Sequence, residues 1–113
     1  MSVELVLEPR PELPERALAA LRSALAARDD VERAYLLRQR RTEPGADPQL
    51  VTALSLVLAE VGEPPKQDAV VRLVMAVAEA LGEDGTELAI GVPSRRALAA
   101  IERHGVLVYE RGS

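Results

Sequence analysis

The sequence has 113 residues, of which 48% are apolar and 28% charged, and a formal net charge of −4. That length suits one hydrophobic core and is short for two, so residues 1–113 read as a single globular domain rather than a disordered chain. The acidic balance disfavours a polynucleotide or an anionic membrane as partner, and no run approaches the roughly 18 apolar residues of a membrane span.

The stretch SVELVLE alternates, with Val3, Leu5 and Leu7 on one side and Ser2, Glu4 and Glu8 on the other, which predicts a half-buried strand. Its charges, and the lack of a basic region ahead of it, separate it from a secretory signal. After PRPELP, the helical spacing of Ala17, Leu18, Leu21, Ala24 and Leu25 predicts an amphipathic helix over 14–28, entered at Pro14. VERAYLLRQRR at 31–41 reads as a strand, and TEPGADPQ as the loop of a long hairpin. Residues 50–62, LVTALSLVLAEVG, fit both a helix stripe and a strand buried on both faces. Pairing through the loop favours the strand. A second helix enters at Pro64 and Pro65, buries Val70, Leu73, Val74, Val77 and Leu81, and stops at Gly82. TELAIGV is a further strand; Ser94 caps a third helix, RRALAAIERH, which Gly105 closes, and VLVYE is the last strand.

The order implies an α+β fold: a ferredoxin-like split βαβ sandwich (βαββαβ) with a short helix and strand appended, both long helices lying on one face of the sheet.

Sites of covalent or metal chemistry are not suggested. A single histidine and no cysteine provide no metal-ligand spacing, and the lack of cysteine also fits a reducing cytoplasm. His104 suits the carbonyl end of the third helix, and Ser23, Ser55 and Ser94 suit a helix surface, strand packing and an N-cap. The glycines are dispersed rather than gathered in a phosphate loop, and Asp29 with Asp30 and Glu83 with Asp84 read as solvated turns. With Tyr35 and Tyr109 its only aromatics, the chain also lacks the stacking platform of an RNA-binding sheet. No catalytic residue and no cofactor are expected.

Arg38, Arg40 and Arg41 are the one local basic group. They read as a strand end projecting into water, with an anion or acidic-partner site as the alternative.

PELPERALAALRSALAARDDVERAYLLRQRR, with its Pro-Glu entry, leucine-spaced helix and Val-x-x-Ala-Tyr-Leu strand, resembles the C-terminal domain of the enhanced serine sensitivity protein family, SseB; SRRALAAIERHGVLVYER resembles that domain's closing helix and terminal strand. The resemblance implies no catalytic residues. It adds weight to the strand over 50–61.

With the Leu side of the sheet under the two long helices, the other side exposes Val51, Ala53, Ser55, Val57 and Ala59, joined by Val6, Ala34 or Leu36, and Ala89. An apolar surface of this kind is expected to be covered, in part by Leu98 and Ile101 of the third helix and otherwise by a second copy or another protein. The expected function is therefore a non-enzymatic protein-protein interaction module that forms a homodimer. The alternative is a regulatory domain binding a small ligand, an amino acid or an anion, although the loop EPRPELP lacks a glycine for close backbone approach.

Overall fold

A computed structural model of the chain describes residues 2–6, 11–59 and 66–112. In chain order these form β1 (Ser2–Val6), α1 (Glu15–Ala26), β2 (Val31–Thr42), β3 (Gln49–Leu58), α2 (Gln67–Leu81), a short 3-10 turn (Gly82–Gly85), β4 (Leu88–Gly91), α3 (Arg95–His104) and β5 (Val106–Glu110). Leu7 and Glu8 of the first expected strand, Val61 of the third element, and Pro64 and Pro65 ahead of α2 lie outside the described residues.

The ambiguous segment is a strand. β3 pairs antiparallel with β2 along the length of both, from Val31 opposite Leu58 to Arg41 opposite Gln49. The connection explains the register: the Ala46 N–H donates to the Glu43 carbonyl at 3.1 Å, with Pro44 and then Gly45 at φ 80° between them. Proline followed by a residue of positive φ is the type II turn, which favours glycine in the second position. α1 is shorter than expected and ends at Ala26; the Arg28 N–H still donates to the Leu25 carbonyl, but the chain turns there toward β2. α2 stops at Gly82, and α3 begins at Ser94, whose hydroxyl oxygen accepts from the Ala97 N–H at 3.3 Å. Replacing Ser94 by Ala should remove this cap and cost about 0.5–2 kcal/mol, read as a lowered denaturation midpoint.

β2 organises a five-stranded mixed sheet. One of its sides carries β3; the other carries two short strands end to end, β1 against Arg38–Thr42 and β5 against Arg33–Leu36. β4 lies parallel to β3 on the sheet's far side. The class is α+β, and the expected order βαββαβ, then helix and strand, is present. The pairing is its own: in a split βαβ unit a third strand separates the parallel pair, whereas β3 and β4 are direct neighbours and β1 pairs with β2.

Strand alternation gives the sheet two apolar faces. On one, Ala34, Leu36, Leu54 and Leu56 pack under Ala17, Leu21 and Leu25 of α1 and Leu73, Val77 and Leu81 of α2, with Val31 and Val108 completing the core. On the other, Tyr35, Leu37, Ala53 and Val57 pack against Ile101 of α3, with Leu5, Ala89, Ala97 and Leu98 at the margin. The expectation that Ala34 or Leu36 joins the second face is thus corrected. Both sit in the first core because they share its side of β2 with Leu54 and Leu56 across the ladder. Val6 opposes Arg38 and so also belongs to the first face.

Candidate functional site

The second face was the expected contact surface, and α3 covers its centre from within the chain. Ala53 and Val57 retain 4% and 8% of their accessible surface and Ser55 9%, so these three are not available to a partner while α3 stays in place. Val51 and Ala59, nearer the ends of the row, are half-buried. Two further contacts hold α3. Arg33 on β2 donates to Glu102 at 2.9 Å and to the Tyr35 hydroxyl at 3.2 Å, its guanidinium lying 5.9 Å from the centre of the Tyr35 ring. Burial disfavours the Arg33 cation, and Tyr35 and Glu102 together more than offset this, so its pKa is raised. Gly105 closes the helix directly over the sheet: a methyl group there would stand 2.6 Å from the Ile101 carbonyl oxygen and 2.9 Å from Leu37 Cδ2.

The three arginines at the far end of β2 do not converge. Alternation along the strand puts Arg38 and Arg40 on the α1/α2 side and Arg41 on the α3 side, and each is engaged nearby. Arg38 donates to the Thr52 hydroxyl at 3.0 Å, Arg40 to Glu4 at 3.1 Å, and Arg41 to the Gln39 side-chain oxygen at 3.0 Å. Thr52 and Glu4 are the ladder partners of Arg38 and Arg40, and Gln39 lies two residues before Arg41 on the same strand and face. The anion site expected as the alternative therefore has no common focus for its charges.

Other arginines tie elements together at positions the sequence did not single out. Arg16 of α1 makes two bonds of 3.1 Å to Asp84 in the 3-10 turn, and Arg22 donates to the Val108 carbonyl on β5 at 2.9 Å. Arg28 and Asp30 form a paired contact at 3.0 and 3.1 Å where α1 turns into β2. Asp29 is not part of this pair; its backbone carbonyl accepts from Arg111 at 2.8 Å. Apart from Arg28 with Asp30, two residues away, these partners lie far apart in the chain, and no periodicity marks them.

Hydrogen bonds from Arg28 and Arg16 hold the carboxyls of Asp30 and Asp84 below the usual aspartate range. A carboxyl with a lowered folded pKa stabilises the fold above its unfolded value of about 3.9, and that contribution is lost as pH falls through the folded value. Melting temperatures followed from about pH 5 to about pH 2 should therefore fall less steeply for Asp30→Asn than for the parent chain.

Two open clefts lie between the end of α1 and β5, of about 460 and 520 Å³, sharing Ala26 and Tyr109. The first is lined by Arg22 and Glu110 and the second by Arg28, Asp29 and Arg111. Their cationic groups are held by Val108, Asp30 and Asp29 respectively, and the nearby helix end presents carbonyls, which disfavour an anion. Among the described residues no three His, Asp or Glu are gathered as a metal site, and no helix is long and apolar enough to cross a membrane.

Among the described residues, the large apolar side chains that the fold leaves exposed lie at its periphery. Met75 is 65% exposed and Val71, one turn before it on α2, 47%; Val3, Leu50 and Leu107 are also exposed. No family model and no curated protein matches the chain.

Proposed function

We propose that the chain is a non-enzymatic protein-protein interaction module of the cytoplasm, similar to the SseB C-terminal domain, and that it self-associates. The observation that carries this reading is the pair Val71 and Met75, two large apolar side chains adjacent on α2 and left in water. An isolated exposed apolar residue needs no explanation, but a neighbouring pair on an ordered helix is a contact surface in want of a partner. The second face of the sheet no longer serves, because α3 occupies it.

Light scattering over a concentration series from about 1 µM to about 1 mM, the range in which modest interfaces assemble, tests self-association. The expected result is a mass that rises from 12.2 kDa toward twice that value. A constant monomer mass across the series overturns it.

A further inference from the structure

We propose that the outer face of α3 docks an acidic peptide segment of another protein, whose carboxylates are received by Arg95, Arg96 and Arg103. This surface lies across the sheet from α2, which carries Val71 and Met75, and it does not depend on self-association.

The state of the arginines is the first ground. Among the described residues, eight arginines outside α3 donate to an oxygen elsewhere in the chain. Arg95, Arg96 and Arg103 are exposed, and among the described residues they take part in no ion pair. Helix positions three and four residues from them hold Leu98, Ala99 and Ala100, so no acid stands within pairing reach along the helix. Glu102, the one acid of α3, is turned to Arg33 on β2 at 2.9 Å.

Their place in the helix is the second. Arg95 and Arg96 occupy the first turn, where unpaired N–H groups favour negative charge and a cation weakens the helix. No contact within the described residues offsets this. A local rule broken without internal compensation is expected where a residue serves an outside contact.

The third ground is geometry. Ile101 packs onto the sheet, and at 3.6 residues per turn Arg96, Ala99 and Arg103 lie on the opposite side of the helix, with Arg95 on the adjoining flank. The helix thus brings Arg103 into line with Arg96, about 10 Å along the axis. Exposed Ala99 between them leaves room for a ligand to approach. In a chain of net charge −4 this is a basic face, and its complement is acidic. A peptide suits it better than other anions. The acidic remainder of the chain repels a long polyanion, and Tyr35 is buried, so bases have no stacking platform there. A membrane surface would need large apolar anchors, and Leu98 is packed against the second core.

The test is fluorescence anisotropy of a labelled peptide of ten glutamates at low salt, with the full chain as titrant. Half-saturation is expected below about 1 mM, and binding should weaken as salt is raised. Arg96→Glu with Arg103→Glu should raise the dissociation constant at least about tenfold. The charge-matched control, Lys66→Glu with Arg72→Glu at exposed positions beside and on α2, should change it less than about twofold. Arg96→Glu alone should weaken binding while leaving the urea midpoint no lower than the parent's, because an acid suits the first turn; lost binding is then not lost folding. No binding below about 1 mM overturns the proposal, as do equal losses in the two double variants. Tighter binding of a single-stranded decanucleotide or of phosphatidylserine vesicles overturns it as well.

Discussion

Truncating Ile101 to alanine should destabilise the chain by about 2–5 kcal/mol, the range for removing a large aliphatic side chain from a packed site. Ile101 keeps 5% of its accessible surface and is the buried α3 residue seated on Tyr35, Leu37, Ala53 and Val57. α3 has only ten residues and is too short to persist in water by itself, so its position depends on that contact. The competing anchor, Arg33 with Glu102, is weaker. With side chains 29% and 38% exposed, it is worth about 0–1 kcal/mol, and Glu102→Ala should change the urea midpoint little. Packing therefore decides where α3 sits. Urea unfolding measures the difference, and the Ile101 variant should also bind a hydrophobic dye below its unfolding transition as the second face opens. Equal losses in the two variants would show that the ion pair, not the side-chain contact, holds the helix.

Gly105→Ala should cost about 1–3 kcal/mol, although alanine is otherwise the least disruptive replacement. The backbone there is ordinary, with φ −77° and ψ 159°, so conformational strain is not the cause. Space is the cause. The added carbon would meet the Ile101 carbonyl oxygen at 2.6 Å, Leu37 Cδ2 at 2.9 Å and Tyr35 Cβ at 3.1 Å. Leu37 can rotate, but a carbonyl within the last turn of α3 and a Cβ in the central strand cannot, so the helix end must lift from the sheet. Gly91 provides the control: a methyl group there meets nothing within 4 Å, and Gly91→Ala should be close to neutral. Because Ile101 and Gly105 share neighbours, the double variant should lose less than the sum of the singles. Additive losses would place the two effects in separate parts of the structure.

Local pattern determined much of this fold. Alternation specifies Val3 to Val6 and Leu88 to Gly91 as strands, and the 3.6-residue stripe specifies α1 and α2 with the buried side of each. Ser94 and Gly82 punctuate their helices for reasons contained in their own chemistry. The same alternation already separates Arg41 from Arg38 and Arg40, since residues two apart share a face and adjacent ones do not. The apolar rear of the sheet was also legible, as was its need for cover.

The sequence named Leu98 and Ile101 of the third helix as part of the cover of that rear, but how far the helix takes up its centre was decided only in three dimensions. β5 returns to pair with β2 and draws the preceding helix across the second face, so that Ala53, Ser55 and Val57 are closed from within the chain. The strand state of residues 49–58 was likewise settled by pairing, as twofold and helical spacing coincide in a run apolar on both sides. The order of the strands, the end-to-end placement of β1 and β5, and the ties from Arg16, Arg22 and Arg33 depend on contacts between distant segments. Periodicity is local and carries no information about such contacts, so they belong to the tertiary structure alone.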